Sequence, residues 1–554
     1  MKKSVLTIVV AMICVFCFTS TSRAENNQGV VIDLEQSSLV RVGAHVDDLT
    51  KILQPLLTDD FLQWLGKHKQ EAANVLSGVL QSKVKDVTVA YSTRGFVFAL
   101  SLPEGDLSLL EKGEISSDSL QGAFGKSLVS LFDQELQGMQ KKSEEAGPQI
   151  FALAPRAFFA VEGQSILVGS SVDQVEVSRN KLRQNTPILP IPDGAHQIWL
   201  KTTYLVSHAP TEDGPFKETQ VNEEITFHNN GNEWQYYGKN NYVDALPILA
   251  SIAPISLEGM EFFGTSEPNM VLSLSGSLLN IFGAVNVKGM PPVMLQAESF
   301  LPFSLTAIKR VNLTFGGART SVMGISLPGF YASLDADTPV VDMLQSLALS
   351  ANATAWNEKQ EVGEDGISTA SSVQAGDMPF PVPVFVARNG GKITVGSLAA
   401  DTPLVPSPAL PTTLAAIPEN AKFCALLSLN WDNLWEEVQK NLRPGTLLRS
   451  LSKINDSLTP NQVKALNNLL EQPFPIRQTL LWNSPDLSEP RGIIVLGDDP
   501  QRFVTAMCAL IDATYFADAA PVETPADQPA ISPTPPAQDE AVPPTAENVE
   551  EKQQ

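Results

Sequence analysis

Basic residues are scarce. Lys and Arg number 38 against 61 Asp and Glu in 554 residues, a formal net charge of −23. Such a chain lacks the Lys/Arg footprint that nucleic-acid phosphates require, and an anionic membrane face repels it. Cysteine is scarce too: there are four, and Cys14 and Cys17 lie in the first 24 residues. With those set aside, a structural zinc site of four cysteines, or of three cysteines and a histidine, is excluded by count. Neither a Gly-x-Ser-x-Gly elbow nor a His-Glu-x-x-His motif occurs, and the five histidines are scattered. Beyond the first segment no run of 18 apolar residues exists; Ala245 to Ile255 comes closest, and Pro247 and Pro254 interrupt it.

What is present begins with an address. Lys2 and Lys3, the mostly apolar run Val5 to Phe18 and the small residues flanking Arg23 (Ser22, Ala24) have the order of a secretory signal peptide over residues 1–24. This 14-residue run, with Thr7 its one polar position, falls short of the ~20 residues that span a bilayer. The expected location is therefore exported, periplasmic or in the cell envelope, with no transmembrane segment in the mature chain. Hydrophobic residues make up 43% and charged residues 18%, enough to bury a core. In an oxidising compartment Cys424 and Cys508 are a candidate disulfide, with two buried thiols as the alternative.

An internal echo organises the rest. Phe158-x-Ala160-x-x-Gly163-x-x-Ile166-x-Val168-Gly169-Ser170 recurs 227 residues later as Phe385, Ala387, Gly390, Ile393, Val395, Gly396 and Ser397. The pattern predicts a strand, a glycine turn and a strand, whose closing Gly-Ser begins a helix. Further hairpins are expected at 87–91 with 95–100, 311–315 with 322–325, and 479–482 with 492–496. Thr459-Pro460-Asn461-Gln462 is a capping box with Pro at the first helical position. Order and pattern together predict an α+β fold of repeated strand–helix–hairpin–helix modules, with helices packed on antiparallel or mixed sheets; the alternative is one large sheet in which the echo is coincidental. The modules are expected at 25–195, 262–403 and, truncated, 404–517. An aromatic-rich hairpin insertion and connector fills 196–261, and a Pro-rich acidic tail at 518–554 is expected to be disordered.

The Phe-x-Ala-x-x-Gly-x-x-Ile-x-Val-Gly-Ser copies resemble segments of exported bacterial repeat proteins of uncharacterised domain families. The resemblance covers about 15 residues per copy. It implies α+β modules and no catalytic residues, so no functional residue is carried over.

Candidate sites are few. Gly122-Ala123-Phe124-Gly125-Lys126-Ser127 resembles the end of a phosphate-binding loop, but Leu120 stands where the first glycine is needed. Asp335 and Asp337 suit a helix start better than a calcium loop, which needs a glycine and a closing Glu. His68 sits beside Lys67 and Lys69 on what reads as a solvated helix face. His196, His208 and His228, with Asp213, Glu223 and Glu224, are the one conceivable metal or acid–base group, in a spacing without a known signature. Trp199, Tyr204, Trp234, Tyr236 and Tyr237 form an aromatic set that serves either as a ligand platform or as cross-strand hairpin packing. No metal or cofactor is expected. The leading expectation is a non-catalytic exported envelope protein that binds an unknown protein or envelope component. One alternative is binding of an apolar, lipid-like small ligand, suggested by the apolar stretches 245–260 and 269–301; the other is a hydrolase centred on 196–242.

Overall fold

The computed structural model describes residues 30–516 apart from 50–51, 53–56, 126–128, 130–140, 143, 192–196, 211–213, 263–265, 289–306, 323–324, 344–352, 363–365, 374–381, 390, 398–409, 447–448 and 451. The signal-like segment and the acidic tail lie outside the described residues.

Alternating apolar residues produce strands throughout. The first group is β1 (Val30–Val46), β2 (Val87–Ser92), β3 (Gly95–Ser101), the short β4 (Glu114–Ile115), β5 (Lys141–Lys142) and β6 (Glu145–Gly147), then β7 (Ile150–Ala154), β8 (Ala157–Glu162) and β9 (Ser165–Gly169). The insertion supplies β10 (Ile198–Ala209), β11 (Lys217–Asn230) and β12 (Glu233–Asn240). Next come β13 (Pro268–Ser275), β14 (Val285–Val287), β15 (Ile308–Val322), β16 (Ile325–Ala336), β17 (Ala353–Val362), β18 (Gly366–Val373), β19 (Val382–Asn389) and β20 (Lys392–Ser397). The last are β21 (Ala425–Asn430), β22 (Ile476–Asn483) and β23 (Pro490–Leu496). The principal helices are α1 (Asp59–His68), α2 (Gln70–Leu80), α3 (Ser117–Phe124), α4 (Val172–Arg183), α5 (Gly276–Ala284), α6 (Trp431–Leu442), α7 (Pro460–Leu470) and α8 (Pro500–Tyr515).

Among the described residues 21 strands join one sheet, and β4–β5 form a separate pair. From one edge, the order runs β6, β7, β8, β9, β3, β2, β1, β10, β11 and β12. It continues through β23, β22, β21, β13, β15, β16, β20, β19 and β18 to β17. These ladders are antiparallel; β14 pairs in parallel with the start of β1. The expected α+β architecture of strand–helix modules is thus overturned. One mostly antiparallel sheet dominates, and the helices are accessories at its faces and ends. The physical reason is strand length: β1 has 17 residues, β15 has 15 and β11 has 14, far more than a local hairpin consumes. Their backbone groups must still be paired, so ladders such as β1–β10, β12–β23 and β13–β21 reach across the expected module boundaries.

The two copies of the echo have matching registers. Phe158 faces Gly169 in one hairpin, and Phe385 faces Gly396 in the other. β9 then pairs with β3 as β20 pairs with β16, β3 with β2 as β16 with β15, and β2 with β1 as β15 with β13. In the first copy Gly163 makes the turn at φ +58, and a Cβ at that position would meet nothing within 4 Å, so backbone conformation alone favours glycine there. In the first copy the closing serine does not cap a helix as expected. Ser170 Oγ accepts from the Phe96 amide at 3.2 Å, and Ser397 Oγ accepts from the equivalent Phe330 amide at 3.0 Å. The helix cap falls to Ser171, whose side chain accepts from Gln174 N. Thr459 does form the expected capping box with Gln462.

The two faces of the sheet differ in kind. On β13, β15, β16, β20 and β21 the deeply buried face carries Ser273, Asn312, Ser333, Thr394 and Ser428, each less than 5% exposed. They bond to one another: Ser273 Oγ donates to Asn312 Oδ1 at 2.6 Å, and Ser333 and Thr394 hydroxyls meet at 2.8 Å. Val271, Leu426 and Leu480 share that face, under Phe423, Leu414 and Phe262. The opposite face is apolar and open. Its side chains alternate with the buried set, so Tyr91 (47% exposed), Phe98 (38%), Leu313 (37%), Phe330 (42%) and Leu481 (38%) all lie on it. Residue pairing carries the same face through Leu200, Ile225 and Tyr236 in the insertion.

Helices cover this apolar face only in part. α3 and its neighbours pack over Leu100, Phe159 and Ile166. α5 packs against Leu274 and Ala425. At the other end of the sheet, Trp431 of α6 donates Nε1–H to Thr479 Oγ1 at 2.9 Å, placing α6 on the apolar side. α7 and α8 join it through Trp435, Phe474, Phe503 and Leu469.

Candidate functional site

The aromatic set of the insertion does not converge on one platform. Trp199 is 1% exposed on the polar side of the sheet, its Nε1–H donating to Glu224 Oε1 at 2.8 Å. Tyr237 stands on that side too, with Arg491 over its ring at 5.6 Å. Tyr204, Trp234 and Tyr236 take the apolar side, as strand alternation requires.

On that side the insertion gathers a polar group whose members sequence reading divided, with Glu223 in the histidine set and Tyr204 in the aromatic set. Glu223 accepts from Thr202 Oγ1 at 3.4 Å, and Tyr204 donates its hydroxyl to Tyr242 at 3.2 Å. Tyr242 also hydrogen-bonds the Glu223 carboxylate. Burial pushes the Glu223 carboxyl above its ordinary range, against hydrogen bonds from Tyr242 and Thr202 that favour the anion. Burial likewise raises all three phenols, helped by the Glu223 charge; Tyr236 reaches about 12. Phe227 packs on Tyr236 at 5.3 Å. One carboxyl and several phenol hydroxyls thus stand in an apolar surround, an arrangement that orients a polar end of an otherwise apolar molecule. The available signal was the i, i+2 spacing of Thr202 and Tyr204 opposite Glu223 and Val221, legible only once the β10–β11 register is known.

The histidines do not assemble. His196 and Asp213 lie outside the described residues. His208 faces Lys217 at one end of the β10–β11 ladder and bonds Thr219 Oγ1 at 2.9 Å. His228 lies eleven residues further along β11, roughly 37 Å away at ~3.4 Å per residue. Among the described residues no three His, Cys, Asp or Glu stand close enough to share a metal ion.

His68, expected on a solvated face, is instead 9% exposed and bonded through Nε2 to Asp512 Oδ1 at 2.6 Å. Cys508 lies one turn before Asp512 on α8. Burial and the charges of Asp512 and Asp60 raise the Cys508 thiol, the wrong direction for a nucleophile. The candidate disulfide is not formed either: both thiols are free and buried. Cys424 packs with Leu249, Leu278 and Ile281 at the α5 end and donates to Ser484 O at 3.2 Å, while Cys508 is buried on α8. Geometry therefore corrects the pairing.

The phosphate-loop fragment is the C-terminal part of α3, with Lys126 and Ser127 outside the described residues. A cavity of about 340 Å³ beside α5 is lined by Ser277, Lys309, Arg310 and Asp335. Its cations are already engaged, Lys309 with Asp337 at 3.2 Å and Arg310 with Glu258 O at 2.9 Å, so it presents no unmatched charge to an anion. No described helix is long and apolar enough to cross a membrane, which leaves strands unaddressed. Comparison with family models, with curated proteins and with solved structures returned no match.

Proposed function

We propose that this chain is an exported envelope protein that acts by binding rather than catalysis, and that its ligand is a lipid-like molecule with one apolar chain. The observation that carries the reading is the inversion of the sheet. Over β13, β15, β16, β20 and β21 hydroxyl and amide side chains are sealed inside beside Val271 and Leu426, while Tyr91, Phe98, Leu313, Phe330 and Leu481 face outward between helices. Exposed apolar area of this kind is retained where something apolar is to be covered. The Glu223–Tyr204–Tyr242 group supplies the few polar contacts that orient such a ligand. The net negative charge favours a single lipid-like molecule over an anionic bilayer. For the hydrolase alternative, no three His, Cys, Asp or Glu among the described residues of 196–242 stand close enough to share a metal ion.

The test is titration of the full chain with a fluorescent stearic acid analogue, alongside native mass spectrometry of protein taken from its own envelope. Saturable binding that Tyr236→Ala and Leu481→Asp weaken supports the reading. Absence of both probe binding and any co-purifying apolar mass ends it.

A further inference from the structure

The α1–α2 helical hairpin is attached to the molecule in an uneven way. At its root, Leu49 N–H donates to Lys85 O at 2.9 Å, the Asp48 amide to Asp86 Oδ1 at 3.2 Å and Lys83 Nζ to Gly122 O at 3.1 Å. Away from the root, α1 contributes no fully buried residue. It docks on α8 chiefly through polar groups. Asp512 of α8 accepts from Trp64 Nε1 at 2.6 Å, from Lys67 Nζ at 3.0 Å and from His68 Nε2 at 2.6 Å. Phe516 stacks on the His68 ring at 3.8 Å, and Thr505 Oγ1 donates to Asp60 Oδ2 at 3.0 Å.

The place of this contact gives it a role. α1 follows β1 and α8 follows β23, and four ladder steps through β10, β11 and β12 separate those strands, roughly 19 Å at ~4.8 Å per step. The contact therefore bridges the insertion. Its α8 partner stands on the apolar side, because α8 packs on α6 and α6 bonds Thr479 there.

We propose that the α1–α2 hairpin is a flap over the apolar side of the insertion, clasped shut on α8 by the single carboxylate of Asp512, and that its release admits the ligand. The gating step rests on the lipid-like ligand reading above; the clasp itself does not. One carboxylate holding three donors is a discrete fastening. Removing it strands Trp64, Lys67 and His68 together, whereas the backbone bonds at the root persist. A flap held by apolar packing would open gradually; one held by a shared acceptor opens as a unit.

The experiment uses the full chain and two readouts. Hydrogen exchange across 59–80 is measured in wild type, in Asp512→Asn and in an Asp60→Cys/Thr505→Cys staple made in a Cys508→Ser background. Binding kinetics of the fluorescent stearic acid analogue are followed in the same proteins. Asp512→Asn is expected to speed exchange in 59–80 by about tenfold while exchange in β10–β12 stays put. The oxidised staple is expected to slow both exchange and probe entry, with reductant restoring them. Unchanged exchange in Asp512→Asn overturns the clasp. Altered exchange with unaltered probe entry overturns the gate. Probe binding absent from every variant, with exchange altered as expected, overturns the ligand reading and the gate while upholding the clasp.

Discussion

Leu480 and Leu481 are neighbours in the chain and opposites in the fold. One is 0% exposed in a core under Phe423 and Leu414; the other is 38% exposed on the open face. The same contrast runs through β13, where Ser273 is sealed and Leu272 is not. In an ordinary half-buried sheet the apolar residues of an alternating strand point inward. Here part of the sheet buries small hydroxyl and amide groups, which is tolerated because they satisfy one another. The difference teaches that alternation specifies two faces without specifying which is inside.

The sharpest way to break that contrast is at the two leucines. Leu480→Ala is expected to cost about 2–5 kcal/mol, since it leaves a cavity in a sealed core. Leu481→Ala is expected to stay within about 0.5 kcal/mol. Urea unfolding midpoints of the two variants decide it, and equal losses would mean that the faces are not distinct. Next in size is the hydroxyl pair. Thr394→Val strands Ser333 and should cost about 1–3 kcal/mol, whereas Ser333→Ala/Thr394→Val together should recover most of the loss. A double-mutant cycle by denaturant melts reads this directly.

A third comparison sets two carboxyls against each other across pH. Burial raises Glu223, so its protonated form suits the fold. That contribution is fully present below the unfolded carboxyl range near ~4.3 and is lost as pH rises through the folded value. Glu223→Gln should therefore raise the melting temperature at pH 8 and change little at pH 4. Asp512 has the opposite sign. Burial opposes its ionisation, but hydrogen bonds from Lys67, Trp64 and His68 prevail and hold it below the usual range. Its contribution is present above ~3.9 and is lost as pH falls through the depressed folded value. The stability gap between wild type and Asp512→Asn should accordingly close at acid pH. The smallest effect tests the two echo copies. Ser170→Ala and Ser397→Ala each remove one bond to an equivalent amide, and each should cost about 0.5–1.5 kcal/mol. Ser170 Oγ also donates to Gln174 Oε1 at 2.6 Å, so its loss should be the larger; a loss at only one of the two serines in thermal melts would weaken the case for internal duplication.

Local features were legible. The hairpins at 87–100 and 225–236 rest on short turns; Asn230-Gly231 is a hairpin-turn pair by its residue types, and Gly231 takes φ +73. Thr459 and Gln462 cap their helix because the residues concerned are three apart. Long-range partners were not legible. His68 looked solvated because its acceptor, Asp512, lies 444 residues away. Tyr204 was noticed for its ring, but its hydroxyl partner and the nearby carboxylate depend on a strand register set by pairing between segments. The α+β expectation failed for the same reason: helical starts are marked locally, while the reach of β1 or β15 is decided by distant edges.

The β12–β23 ladder imposes an order of events on synthesis. Residues 233–237 find their neighbours only at 491–495, so a chain delivered amino end first carries an open strand edge while about 250 further residues arrive. Unprotected edges of that length template aggregation. Completion of the molecule is therefore tied to its late-arriving segment, and a chaperone that shields extended edges should raise the yield of native protein more than one that shields apolar helices.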